Sequence, residues 1–148
     1  MEAIRIEFPY IFSESRYFGA PQLTIHPITN APFSILGIEF TPIMVMHEKL
    51  PVTGFRIGDF TYITDASYIA PEEIEKIRGS RVIVLNALRN SKHVSHFSVG
   101  EAVEILRDLQ PEAAFLTHLS HFVGLHDEVN SKLPEFIQLA YDGLKVVV

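Results

Sequence analysis

The sequence predicts an α/β fold, one mixed sheet with β-α-β crossovers and helices on its outer face. Three observations carry this. Short β-rich runs broken by glycine-centred turns fill the first half of the chain. From Phe60 onward the pattern becomes strand, helix, strand, helix, strand. The second of those helices opens on Ser98-Val-Gly-Glu101, a capping box in which serine and glutamate satisfy each other's free backbone N–H groups.

Taken in order, Glu2 to Phe8 reads as a short helix followed by a loop through Pro9, Gly19 and Pro21. Gln22 to Ile28 alternates as a strand, with His26 on the solvated side opposite Leu23 and Ile25. Phe33 to Met46 holds two β-rich runs broken at Gly37, a hairpin, and Phe55-Arg-Ile with Phe60-Thr-Tyr-Ile-Thr flanks Gly58-Asp59 as another. Pro71 to Ile77 is a helix, with proline and acids in its first turn and Gly79 as its stop. Arg81 to Leu85 is an apolar strand. The helix after Ser98 puts Val99, Ala102, Val103 and Leu106 on one face and ends near Pro111, before a third strand at Ala113 to Leu116. Two successive crossovers make these three strands parallel, so all end at the same edge. A helix over Leu125 to Leu133 and a closing hairpin, Ile137 to Val148 turning at Asp142-Gly143, complete the expectation.

Composition narrows the function. The chain has 148 residues, 47% hydrophobic, which is enough for the core of one domain. Its formal charge of -6 excludes a broad basic face for a long run of nucleic-acid phosphates. The absence of cysteine excludes disulfides and thiolate metal sites, leaving imidazole and carboxylate as ligands. No run of about 18 apolar residues occurs, and charges interrupt the opening stretch, so neither a spanning helix nor a signal peptide is expected. The expected setting is the cytoplasm, away from the membrane.

The residues just past each parallel strand point to a site. Thr64-Asp65-Ala66-Ser67 comes after the first, Asn86 leads to His93 and His96 after the second, and Thr117-His118-Leu-Ser-His121 comes after the third. Ligands of open α/β sheets bind in the crevice beyond the carboxyl ends of the strands, so this placement suits a metal or substrate site. His47 ends a further strand, Ile43-Met-Val-Met. Imidazole plus carboxylate without thiolate suits zinc, manganese or iron. His26 fits a solvated position, and Asp59 and Asp142 belong to turns.

Met46-His47-Glu48-Lys49-Leu50 with Gly54-Phe-Arg-Ile57, Tyr62-Ile-Thr-Asp65, His96-Phe-Ser-Val-Gly-Glu101-Ala102, Phe115-Leu-Thr-His118-Leu-Ser-His121 and Leu139-Ala-Tyr-Asp-Gly-Leu144 together resemble a known family. It is the metallo-β-lactamase superfamily, in the phosphodiesterase branch around ribonuclease Z and the carbon-phosphorus lyase cyclic phosphodiesterase. The resemblance implies half of an αβ/βα sandwich, with residues 1–148 as its C-terminal part. It implies His47 and His118 as ligands of two divalent ions, zinc or manganese, with Asp65 bridging them. His96 is then the catalytic imidazole, a general acid or phosphate stabiliser. His93, His121, Ser67 and His126 are candidates for orienting a ligand or touching substrate, with His126 also readable as an exposed helix residue.

The family's first ligand cluster, His-x-His-x-Asp-His, does not occur among the seven histidines. Three ligands cannot hold two ions, so the chain is expected to be an incomplete, inactive fragment with no metal or partial occupancy. Its expected partners are the missing N-terminal half of the same fold, a small phosphodiester in preference to transfer RNA, and a second copy of itself through exposed apolar surface. Two rival readings stay open: hydrolysis of another ester or thioester on the same metals, and a non-catalytic self-associating module.

Overall fold

Eight strands form one mixed sheet in the computed structural model, which describes residues 2–13 and 18–148. The strands are β1 (Phe33–Ile35), β2 (Ile38–His47), β3 (Leu50–Ile57), β4 (Phe60–Ile63), β5 (Tyr68–Ile69), β6 (Val82–Asn86), β7 (Ala113–Thr117) and β8 (Ile137–Leu139). The helices are α1 (Glu2–Glu7), α2 (Pro9–Phe12), α3 (Pro71–Ile77), α4 (Val99–Leu109) and α5 (His126–Asn130), with a 3-10 turn at His121–Val123. Strand order is β1-β2-β3-β4-β6-β7-β8, and β5 pairs with β2.

The first four strands form an antiparallel meander joined by two-residue turns. Leu36 and Gly37 both take positive φ, as a tight hairpin turn requires. Gly54 in β3 is needed for a different reason. A Cβ there would stand 2.7 Å from the Ile63 side chain and 2.9 Å from the Tyr62 carbonyl oxygen. The later strands β4, β6, β7 and β8 run parallel, and α3 and α4 make the crossovers between the first three.

Register decides which face is covered. Ile63, Leu85, Leu116 and Leu139 stand side by side across the parallel strands, and so do Thr61, Ile83, Ala114 and Ile137. All eight are buried, and they pack with Ile77 of α3 and Ala102, Leu106 and Leu109 of α4. Each fully buried Leu or Ile contributes roughly 1.5–3 kcal/mol. On the opposite face Tyr62, Val84 and Phe115 form a cross-strand row beside a cavity of about 720 Å³.

The capping box opens α4 as the sequence predicts. Ser98 Oγ accepts the Glu101 N–H, and Glu101 Oε2 accepts the Ser98 N–H at 2.9 Å. Four expectations need correction. Residues 22–28 form no strand, because Pro21 and Pro27 remove ladder donors at both ends of the run. The helix expected over Leu125 to Leu133 is only His126–Asn130, cut short by Gly124 at φ 111 and by Pro134. The opening helix forms as α1, but Pro9–Phe12, expected in the loop after it, makes a second short helix with Pro9 in its first turn. The closing hairpin does not form. Ile137–Leu139 joins β7 in parallel, which buries Ile137 and Leu139 in the core row, and the turn at Asp142-Gly143 leads to no return strand.

Candidate metal centre

The carboxyl ends of β4, β6, β7 and β8 lie at one edge, and backbone hydrogen bonds lace the loops that leave them. Asn86, at the end of β6 and fully buried, accepts the Ala66 N–H at 2.9 Å and donates to the Ala66 carbonyl at 2.9 Å. That same carbonyl accepts the Phe97 N–H at 2.8 Å. Ala66 follows Asp65 and Phe97 follows His96, so one peptide fixes the carboxylate and the imidazole relative to each other. The Ala87 N–H donates to Thr117 O and the Ser120 N–H to Leu88 O, which brings in the loop carrying His118.

Five predicted residues converge there. Asp65 Oδ1 stands 3.3 Å from His96 Nε2 and 3.5 Å from His118 Nε2. The His96 ring is stacked on His118 at 4.7 Å between centroids and met edge-on by His47 at 4.6 Å. His93 lies on its far side, with the two Nδ1 atoms 3.3 Å apart. Ser67 supports His47 from outside the cluster: its N–H and hydroxyl both donate to Met46 O, and its Oγ accepts the Glu48 N–H. It thus holds the backbone on both sides of His47.

The other two predicted residues lie apart from these contacts. His121 is exposed, its ring against Phe122 at 3.9 Å. His126 directs Nε2 at the Leu139 carbonyl 3.2 Å away and stands edge-on to Tyr141. Asn86, read from the sequence only as the start of the loop to His93 and His96, and Ser95 join the site without having been assigned a role there. A buried amide at a strand's carboxyl end was the available signal for the first. The second lies between two histidines, and only the fold of the loop shows that its hydroxyl meets both rings.

Two backbone positions are strained. Asp65 has φ 54 and His118 φ 60, left-handed conformations that cost a non-glycine residue of order 1–2 kcal/mol. Both turn sharply off their strands at the edge where their side chains meet.

Burial raises the Asp65 carboxyl. The His96 hydrogen bond, the charge of His118 and the Thr64 hydroxyl together outweigh it and hold the group below the usual carboxylate range. Burial lowers His96, which is 9% exposed; the Asp65 hydrogen bond opposes this, but His118 and His47 add to it and the net shift is downward. The two shifts favour an ionised Asp65 beside a neutral His96.

His47, Asp65 and His96 each offer a donor atom, all within 4.8 Å of one another. Ligands at ~2.0–2.2 Å from one ion stand about 3–4 Å apart, so the 3.3 and 3.5 Å separations around Asp65 match shared coordination. Nitrogen and carboxylate donors without sulfur suit zinc or manganese. The sequence expectation sets His96 aside from the metals; the geometry puts it in the same donor group as His47 and Asp65, with His118 beside it.

Comparison with known proteins shows what the chain is similar to. The chain is 33% identical over 150 residues to a Porphyromonas gingivalis octanoyltransferase, covering 100% of this chain and 30% of that protein. It superposes on a diphosphatase from the PhnP family with a TM-score of 0.87 and 33% identity, covering 99% of this chain and 55% of that one. The metallo-β-lactamase fold protein YhfI from Bacillus subtilis gives 0.71 at 19% identity, over 97% of this chain and 61% of that one. The chain thus spans about a third of the curated relative and just over half of each of these two structures. The family model for the beta-lactamase superfamily domain matches residues 1–119. The chain belongs to that superfamily and has its metallo-β-lactamase fold.

Proposed function

We propose that this chain carries part of the metal centre of a hydrolase that cleaves phosphodiesters or diphosphates. The observation that carries this reading is the placement of Asp65 Oδ1 within 3.5 Å of both His96 Nε2 and His118 Nε2, at the carboxyl edge of parallel strands. The diphosphatase at 33% identity over nearly the whole chain supports the phosphoryl substrate. In this assignment His47, Asp65 and His118 would hold divalent ions, zinc or manganese. Bound ions would activate a water and polarise the phosphoryl oxygens. His96 gives a proton to the leaving oxygen. The net charge of -6 favours a small substrate over transfer RNA.

Two ions need more ligands than three residues supply, so the remaining donors come from a further portion of the same fold outside these 148 residues. The face bearing Tyr62, Val84 and Phe115 is where that portion packs; Tyr62 is 43% exposed there. Among the described residues no helix is long and apolar enough to cross a membrane, and we place the protein in the cytoplasm. Without the missing portion, this chain alone hydrolyses nothing above background.

A second reading, hydrolysis of an octanoyl thioester on the same centre, is favoured by the name of the Porphyromonas gingivalis relative. That name covers a protein more than three times the matched length, so we rank it second. One assay separates the two. The full-length protein, loaded with zinc or manganese, is given a phosphodiester, a nucleoside diphosphate derivative and an octanoyl thioester. Metal-dependent release of phosphate or alcohol from the first two supports our reading, and turnover confined to the thioester overturns it.

A further inference from the structure

The chains leaving β7 and β8 part beside His118 and enclose a small crevice. The Ala140 N–H donates to Leu116 O at 2.8 Å, and beyond that bond the two chains separate. His118 at φ 60 turns one of them off its strand. Gly143 at φ 90, with the Leu144 N–H donating to Tyr141 O at 3.1 Å, turns the other. The cavity between them measures about 280 Å³ and is lined by Thr117, His118, Leu119, Ala140, Tyr141 and Asp142. We propose that it is a subsite for a positively charged group of the substrate, an ammonium on a short alkyl chain esterified to the phosphorus, held between the Asp142 carboxylate and the Tyr141 ring. The inference rests on the reading of the centre as that of a phosphodiester hydrolase.

Size and charge choose the occupant. Small-molecule pockets enclose ~300–1,000 Å³, so this one takes a substituent and not a whole nucleotide. Among the described residues no lysine or arginine lines it, and no hydrogen bond or ion pair takes up the Asp142 carboxylate. A phosphoryl oxygen would meet like charge there, so the anionic end of the substrate stays with the metal ligands and its other end enters. Tyr141 is 59% exposed, and its ring adds an attraction for a cation that a neutral hydroxyl or alkyl group does not share.

The end of β8 is held in place from behind. The His126 ring meets Tyr141 at 82° with 6.2 Å between centroids. His126 Nε2 lies 3.2 Å from Leu139 O, and the Leu139 N–H donates to Asn130 Oδ1 at 2.8 Å, so α5 fixes the backbone that leads into Tyr141 and Asp142. The larger apolar cavity adjoins this one and shares Thr117, Ala140 and Tyr141 with it. Of the two, only the smaller is lined by His118, Leu119 and Asp142, which places it at the edge of the metal centre and not on the face that the missing portion covers.

The test gives the zinc-loaded full-length protein three nitrophenyl phosphodiesters whose second ester group is 3-aminopropyl, 3-hydroxypropyl or butyl. These share chain length and leaving group and differ in charge and hydrogen bonding at one end. KM for the aminopropyl ester is expected to lie roughly 5- to 20-fold below those for the other two. Asp142→Asn and Tyr141→Ala each reduce that preference, and Tyr141→Phe, which keeps the ring, preserves it. Equal KM values in the wild type, a lower KM for the hydroxypropyl ester, or a preference that survives Asp142→Asn overturns the proposal. Should Asp142→Asn fail to fold, the three wild-type KM values and the two Tyr141 variants still decide. If the wild type cleaves none of the esters, the hydrolase reading fails, and calorimetric binding of 3-aminopropyl phosphate against butyl phosphate then tests the subsite by itself. Equal affinities overturn it, and an aminopropyl preference that Asp142→Asn removes supports it.

Discussion

Asp65 and His96 meet at 3.3 Å although 31 positions separate them, and the buried amide of Asn86 is what brings them together. Asn86 touches neither side chain; it fixes the peptide of Ala66, to which the backbone after His96 is also bonded. Replacing Asn86 by alanine strands a buried N–H and removes one partner of a carbonyl, a loss of roughly 1–3 kcal/mol. It also loosens Asp65. We expect Asn86→Ala to weaken zinc affinity roughly 10- to 100-fold in the full-length protein, as loss of a group supporting a ligand does. Competition with a chelator of known affinity measures this, and unchanged affinity in a folded variant would show that Asp65 is held by other means.

The left-handed backbone at His118 predicts an inverted substitution order. At an ordinary position alanine is the more stabilising replacement, because glycine loses more freedom on folding. At φ 60 the Cβ is the problem. His118→Gly should therefore be more stable than His118→Ala by roughly 1 kcal/mol in metal-free protein, since both lose the imidazole and only one relieves the backbone. Thermal unfolding of the two variants after chelation checks it; alanine at or above glycine contradicts the strain.

Glu73 gives a pH dependence away from the metal site. Its carboxylate is 5% exposed, accepts the Met44 N–H at 2.9 Å and the Asn30 amide at 3.3 Å, and pairs with Lys76 at 2.8 Å. Burial raises this group, but the Lys76 and Met44 hydrogen bonds, with Asn30 and the Lys76 charge, outweigh it and the net shift is downward. A depressed carboxyl stabilises the fold above its unfolded value, about 4.3, and that contribution is lost as pH falls through the folded value. Glu73→Gln should be less stable than wild type by roughly 1–3 kcal/mol at about pH 7. The gap should narrow as pH falls below the unfolded value and close once it passes the lower folded value. Urea unfolding of both proteins across this range reads it, and a gap independent of pH would assign the effect to shape and not to charge.

Local chemistry made some elements legible in the sequence. The Ser98–Glu101 box, the proline and acids of α3, and the Leu36-Gly37 and Gly58-Asp59 turns each satisfy backbone groups within a few residues. The turn between β2 and β3 uses Glu48 at φ 56 followed by Lys49, with no glycine or asparagine to mark it, so the first half of β3 was hidden. Ile137–Leu139 reads as one arm of a hairpin until its partner is known to be β7, 20 or more positions away. The site shows the same division. Parallel strands imply that Asp65, His96 and His118 share an edge, which the sequence carries. That His96 rather than His118 joins His47 and Asp65 in the tightest donor group depends on ring orientations set by Ser95 and by the bonds through Ala66, which spacing does not encode.

That grouping makes the role of His96 the sharpest question for mutation. If His96 is the acid, removing it costs rate only where the leaving group needs a proton. His96→Ala in the full-length protein should then lower kcat roughly 10²–10⁴-fold on an alkyl phosphodiester and far less on a nitrophenyl one, with metal content full. His118→Ala should lose metal and lower both rates together, because a ligand serves every substrate. Metal per chain and kinetics on the two esters, measured for both variants, separate the roles. Should His96→Ala lose metal and slow both esters alike, His96 is a ligand beside His47 and Asp65, as their 4.8 Å grouping allows. The proton for the leaving oxygen would then have to come from another group.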